Sequence, residues 1–391
     1  MEPDFGALDD ALDAAGADGY LLDADASTSD QLYLSGFDAS DPFVSLYTPE
    51  ETVLLVSGLE FTRAKQESRA DTVRRYADYD YQEKRANNDT STARDLLYAE
   101  FLAEFGVESV LVNERFPLAT ADGLRENDIA VDVDDGETVR AIRATKTAEE
   151  VEHVKAAQAA NEAAMRAAET LLDAATVRDG VLHYEGDPLT SERVKEEIEV
   201  TLLRHGCSLD ETIVACGESA SVPHDRGSGP LNADETIIID IFPRDKETKY
   251  HADMTRTFVK GDASDDAREF YDLTREALDA AFDALEPGAT GEDVHHAVCD
   301  VYEDAGYPTL RSDPSTETGY IHSTGHGVGL DVHEAPSIST NATDELEPGH
   351  VVTIEPGLYD PDVGGVRLED IVVVTENGYE NFTDYPLDFE L

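Results

Sequence analysis

The chain begins with apolar residues at helical spacing and then switches repeatedly to short apolar runs. "FGALDDALDAAGA", from Phe5, has the periodicity of a surface helix. "GYLLDA", "FVSLYT" and "TVLLVS" are too short for helices and suit strands. "ARDLLYAEFLAEFG" predicts an amphipathic helix closed by Gly106, and "SVLVNE" a further strand. This alternation predicts a small α/β domain over residues 1–140.

The pattern changes at Thr147. "TAEEVEHVKAAQAANEAAMRAAETLLDAA" predicts one long alanine-rich helix, with Thr147 as N-cap and Glu149 and Glu150 in the first turn. "TVRDGVLHYEGDPLT" interrupts the helical pattern and predicts a surface insertion around residues 176–190. "SERVKEEIEVTLLRHG" then resumes as helix. From residue 212 onward, "ETIVACG", "ETIIIDIFP", "YHADMTRTFVKG", "HVVTIEPGLY" and "GVRLEDIVVVT" have the pattern of strands. Between them "DAREFYDLTREALDAAFDAL" and "GEDVHHAVCDVYEDAG" have that of helices. Residues 141–391 therefore predict an α+β domain, with helices on one face of a largely antiparallel sheet.

Charge changes the picture next. The chain carries 86 acidic and 29 basic residues, a formal net charge of −57, spread along its length rather than gathered in a tail. With 13 Phe and 16 Tyr it has the aromatic content of a folded protein. A carboxylate-coated surface of this density repels itself in dilute salt, which predicts a halophilic type. It also predicts no nucleic-acid partner, because a basic footprint is missing. Cys207, Cys216 and Cys299 form no CxxC and no even set, so neither disulfides nor a thiolate zinc site is expected. "MEPDFGALDD" lacks a basic n-region, and no apolar run is long enough to span a bilayer. The expected location is cytoplasmic, away from membranes.

Four carboxylates stand where a core would not place them. Asp240 interrupts "TIIIDIF", Asp253 lies in "YHADMTRTF", Glu355 in "VVTIEPGLY" and Glu369 in "GVRLEDIVVV". Burying an unpaired carboxylate is costly, so positive charge is required at their centre. Pro243, Arg244 and Asp245 predict a turn that lets Asp240 and Asp253 face one another across a hairpin. Arg256 and Arg367 are near in sequence, but two divalent cations would balance four carboxylates more fully. They would also allow a bridging hydroxide to form at neutral pH. "IHSTGHGVGLDVHEAP" adds three of the chain's 11 histidines among glycines. Oxygen ligands with one imidazole suit Mn²⁺ or Co²⁺, with Zn²⁺ as a third candidate.

The order Asp, Asp, His, Glu, Glu in "IIIDIF", "HADMTRTF", "STGHGVGLDVHEAP", "TIEPGLY" and "VRLEDIVVV" resembles the pita-bread metallopeptidases, which include methionine aminopeptidase, aminopeptidase P, prolidase and creatinase. The N-terminal third resembles the creatinase-type domain that precedes the catalytic domain in the proline-specific branch. The resemblance implies that Asp240 is held by one metal alone, that Asp253 and Glu369 bridge, and that His326 and Glu355 belong to the other metal. It implies that His333 stabilises the tetrahedral intermediate, that Glu355 shuttles a proton, and that His322 and His224 line the substrate pocket. Arg367 resembles an arginine close to the metals, and could pair with a substrate carboxylate.

The implied activity is hydrolysis of the Xaa-Pro bond in dipeptides, as in prolidase, or at the N-terminus of peptides, as in aminopeptidase P. A homodimer is implied as well. The alternative is a metal-free creatinase-like amidinohydrolase or a non-catalytic binding module on the same fold. Retention of all five ligand positions argues against it. Phe242 and the lengthened loop between Asp240 and Asp253 depart from the family pattern. His251 is expected to be a surface or supporting residue, and His295 and His296 are given no role.

Overall fold

The computed structural model describes residues 3–391, which form two compact units divided between Arg143 and Ala144. The first unit is built on a six-stranded mixed sheet. Its strands are β1 (Gly19–Ala24), β2 (Phe43–Tyr47), β3 (Thr52–Val56), β4 (Thr72–Arg75), β5 (Ser109–Val112) and β6 (Ala130–Val133), in spatial order β4-β3-β2-β1-β5-β6. Successive side chains of a strand point to opposite faces. In β3, Val53 and Leu55 accordingly join a cluster with Leu97, Phe101 and Leu102 of the helix Thr90–Glu104, while Leu54 and Val56 join Phe37, Phe43 and Ala64 on the other side. Both faces are covered, which is why "TVLLV" is continuously apolar.

The second unit starts with the long helix Ala148–Ala174. The Thr147 hydroxyl accepts the Glu150 N–H at 3.3 Å, and the Glu150 carboxylate accepts the Thr147 N–H at 2.7 Å, a reciprocal capping box. The next strands are β7 (Thr176–Arg178), β8 (Val181–Tyr184) and β9 (Asp187–Pro188), which form a small sheet of their own. The expectation of a mere surface insertion needs correction. Leu182 and Leu189 are buried in the core; the Leu182 N–H donates to the Leu231 carbonyl at 2.9 Å, and the Leu231 N–H to that of Leu189 at 2.9 Å. The apolar pair within "VLHYEGDPL" drives the segment inward.

After the helix Ser191–Arg204 come β10 (Cys207–Ser208), β11 (Thr212–Cys216), β12 (Thr236–Ile241), β13 (Arg244–Asp245) and β14 (Met254–Val259). β11, β12 and β14 form an antiparallel sheet with β12 in the middle. Ile237, Ile239 and Ile241 pack with Met254, Phe258 and the long helix's Ala164, Met165, Ala168 and Leu172. Ile238 points the other way, toward Ile213, Ala215 and Tyr359. Asp240 shares the parity of Ile238, so it too turns away from the long helix.

The remaining strands are β15 (Gly325–Gly327), β16 (Glu334–Ile338), β17 (Val351–Ile354), β18 (Gly357–Asp360), β19 (Gly364–Arg367), β20 (Asp370–Thr375) and β21 (Gly378–Asn381). An antiparallel sheet of order β16-β15-β17-β20-β21 is covered by the helices Asp265–Ala284 and Gly291–Asp304, through Phe270, Ala277, Val294 and Val298 against Val352, Ile354, Val372 and Val374. This is the expected pita-bread architecture of antiparallel sheets backed by helices. No helix among the described residues is long and apolar enough to cross a membrane.

Candidate metal centre

His326 is the middle residue of β15, and its flanking glycines have a steric cause. A Cβ at Gly325 would lie 1.9 Å from the Thr353 carbonyl oxygen, and one at Gly327 would lie 2.1 Å from that of Ala335. Only glycine lets β15 approach both neighbouring strands so closely. The register shifts between His326 and Gly327, which re-aims the histidine side chain. Its Nδ1–H donates to the Gly327 carbonyl at 3.2 Å, leaving Nε2 with the lone pair. That nitrogen faces Glu355 Oε1 at 3.4 Å and Asp253 Oδ2 at 3.7 Å.

The carboxylates converge from separate strands. Asp253 immediately precedes β14, and Glu369 sits between β19 and β20. Asp253, His326 and Glu369 each offer a ligand atom within 4.8 Å of the others. Asp253 and Glu369 are 4% and 2% exposed, and Asp240 is 9% exposed. Asp240 and Glu355 lie outside that tight trio but line the same cavity, of about 790 Å³, as do His224, His322, His333 and Arg367. The cavity thus collects all nine sequence-predicted site residues.

The residues present fit divalent cations. Asp240 Oδ1, Asp253 Oδ1 and Glu369 Oε1 are buried without a hydrogen-bond partner. Buried oxygens of this kind require one. Burial pushes the Asp253 carboxyl well above its usual range, and the charges of Glu369, Asp240 and Glu355 push it further. Burial raises Glu369 likewise, with Glu355 and Asp240 adding to it. Burial lifts Glu355 to about 7, against the opposing pull of Arg367. Burial lowers His326 to about 3, so its ring stays neutral and cannot supply the missing positive charge. A lone pair facing two carboxylates at these distances is the donor set of a metal ion.

The supporting residues are as specific as the cluster. Arg367 is 3% exposed; its Nη2 donates to Asp240 Oδ2 at 2.7 Å and its Nη1 to the Tyr359 hydroxyl at 2.9 Å. Tyr359 lies 3.0 Å from His322 Nε2, and His322 Nδ1–H donates to the Ser323 carbonyl at 2.7 Å. The proton on Nδ1 makes Nε2 the acceptor, so Arg367, Tyr359 and His322 form one directional chain. Burial holds His322 at about 3, and the Arg367 charge adds to the shift. Thr255 donates its hydroxyl to Glu369 Oε2 at 2.7 Å. Arg256 clamps the backbone behind it, donating to the carbonyls of Thr255 at 2.9 Å and Glu369 at 2.7 Å and pairing with Asp370 at 2.8 Å.

His333 directly precedes β16, and its ring meets that of His326 edge-on with centroids 4.3 Å apart. The next residue, Glu334, forms a buried ion pair with Lys146. Sequence reasoning missed Tyr359, Thr255, Lys146 and Glu334. It also gave no role to His295, which is buried and bonds Thr324 at 2.9 Å and Thr340 at 3.0 Å. Thr324 in turn accepts the Glu355 N–H at 2.7 Å through its carbonyl, so His295 braces a strand end beside the site. His251 is half-buried, with its backbone N–H on the Gly329 carbonyl at 2.7 Å.

Residues 152–376 match the model of metallopeptidase family M24, and residues 6–145 match the creatinase/prolidase N-terminal domain. The chain belongs to metallopeptidase family M24 and carries the N-terminal domain of its creatinase and prolidase members. An Xaa-Pro dipeptidase of Pyrococcus furiosus is 29% identical over 355 residues, 90% of each chain. The solved Xaa-Pro dipeptidase of Bacillus anthracis superposes with a TM-score of 0.82 at 25% identity, covering 98% of both chains. The solved X-Pro aminopeptidase of Thermotoga maritima gives 0.78 at 25% identity, covering 98% of this chain and 100% of the other. Staphylococcal peptidases are 34–36% identical, but the alignments span only about half of their length, 54–55%.

Proposed function

We propose that the protein hydrolyses the peptide bond between a first residue and proline, using two divalent ions held by Asp240, Asp253, His326, Glu355 and Glu369. The observation that carries this reading is the convergence of these five residues in one cavity, with three buried carboxylate oxygens left unpaired. The names of the relatives support the proline specificity, and they include both dipeptidase and aminopeptidase. An Xaa-Pro dipeptidase is matched both among the curated relatives and among the solved structures, which favours Xaa-Pro dipeptides as substrate.

Bound Mn²⁺ or Co²⁺ would supply a Lewis acid for the scissile carbonyl and make water nucleophilic at neutral pH. Asp253 and Glu369 would each offer an unpaired oxygen to the ions. Asp240 has one oxygen fixed by Arg367 and the other free. Glu355 takes the proton released by the attacking water and delivers it to the proline nitrogen, which must be protonated to leave. His333 donates its ring N–H to the oxygen that becomes negative in the tetrahedral intermediate. His322 is kept neutral by burial, with the Arg367 charge adding to it, and with His224 it borders the space for the substrate.

The test is proline release from Ala-Pro by protein loaded with Mn²⁺ or Co²⁺ in molar KCl, with Ala-Ala and Ala-Pro-Ala for comparison. The reading expects Ala-Pro to be cleaved, Ala-Ala spared and the tripeptide cleaved more slowly. Faster cleavage of the tripeptide would assign aminopeptidase action instead, and inactivity on both proline peptides would refute the proline specificity.

A further inference from the structure

The cavity has a second guanidinium besides Arg367, and its setting differs. Arg226 lies on the loop that follows His224, is exposed, and stacks over the Phe242 ring at 5.6 Å to the centroid. Its Nη2 donates to Glu211, while Nε and Nη1 make no further hydrogen bond among the described residues. Arg367, by contrast, spends Nη1 on Tyr359 and Nη2 on Asp240 inside the protein. It has no free fork to present to a substrate.

The position of Arg226 is built into the backbone. Its carbonyl accepts the Val214 N–H at 3.1 Å, which ties the loop to β11. The next residue, Gly227, has φ +69°, and a Cβ there would lie 1.8 Å from the Val214 carbonyl oxygen. Lys195 donates to the Gly227 carbonyl at 2.8 Å from the other side. The glycine lets the loop press onto β11, and that contact sets Arg226 above Phe242, the residue at which the sequence departs from the family pattern.

A dipeptide ending in proline has two recognisable features at that end: an apolar ring without an N–H, and a free carboxylate. A carboxylate entering a cavity lined by Asp240, Asp253, Glu355, Glu369 and Glu211 is repelled unless a cation receives it. Among the described cavity-lining residues, Arg226 is the cation that retains free donors facing solvent. Resting on the Xaa-Pro reading, we propose that Arg226, seated on Phe242, binds the free C-terminal carboxylate of a dipeptide substrate and so makes the site prefer dipeptides to longer chains. A planar guanidinium suits this task because it can grip both carboxylate oxygens, which an ammonium cannot.

The experiment compares Ala-Pro with Ala-Pro-amide, which lacks only the charge, on wild type, Arg226→Gln and Arg226→Lys. In the metal-loaded wild type, kcat/KM should favour Ala-Pro by about tenfold, the scale of a partly exposed charge-assisted hydrogen bond. The ratio should fall toward one in Arg226→Gln, mainly through KM, and Arg226→Lys should lie between. A wild-type ratio near one, or a ratio unchanged in Arg226→Gln, overturns the proposal. Should the wild type cleave neither peptide, the Xaa-Pro reading fails on its own, and calorimetric titration of both peptides decides the subsite. Ala-Pro binding about tenfold tighter than the amide, and only in the wild type, supports it. Equal affinities, or no measurable binding, overturn it.

Discussion

Arg367 Nη2 lies 2.7 Å from Asp240 Oδ2, and both side chains are buried. The pair fixes one oxygen of Asp240 and leaves the other free, and through Tyr359 the same guanidinium sets the hydrogen-bond direction of His322. Breaking a buried pair leaves an uncompensated charge at about 3–5 kcal/mol. Arg367→Met should therefore lower stability by a few kcal/mol in urea unfolding and weaken metal retention. An unfolding midpoint equal to that of wild type would show that the pair does not hold the site together.

His333 contacts the ring of His326 but has no part in the tight trio of ligand atoms. If it donates to the developing oxyanion, His333→Ala lowers kcat by about two to three orders of magnitude while the metal content stays that of wild type. A variant with normal kcat and raised KM would instead place the residue in ground-state binding.

Lys146 and Glu334 form an ion pair whose side chains are 1% and 2% exposed. Glu334 adjoins His333, so the pair holds the start of β16 where that histidine enters the cavity. Lys146→Met, which leaves Glu334 buried without its lysine, should cost about 3–5 kcal/mol and reduce kcat. Lys146→Met/Glu334→Leu should recover part of the stability, since it removes both charges. A double variant less stable than the single one would contradict this.

How legible this arrangement was in sequence depended on distance along the chain. The strands "TIIIDIF" and "VVTIEP" announced their misplaced carboxylates locally, because a charge inside an apolar run is conspicuous by itself. The structure adds the parity of β12, which turns Asp240 to the site and Ile239 to the long helix. Lys146 carries no local signal, because its partner Glu334 lies 188 residues away. Tyr359 carries no local signal either, and only the fold shows its hydroxyl between Arg367 and His322. The 176–190 segment looked polar enough for a surface loop because its two buried leucines are separated by a tight polar hairpin.

The net charge of −57 leads to a prediction about salt. Screening shortens from about 10 Å at 0.1 M to about 3 Å at 1 M, so repulsion among surface carboxylates fades over that range. The melting temperature should rise as KCl goes from dilute to molar. A flat or falling profile would refute a halophilic type and leave the active-site account untouched.

The central claim is that Asp240, Asp253, His326, Glu355 and Glu369 hold divalent ions that make this chain an Xaa-Pro peptidase. It is tested most directly by adding Mn²⁺ stepwise to protein stripped with a chelator and following Ala-Pro hydrolysis, with Asp253→Asn in parallel. The account predicts no activity in the stripped protein, a rise that levels off near two equivalents, and little activity in the variant at any equivalence. Full hydrolysis by stripped protein, or a variant that matches wild type, would contradict it.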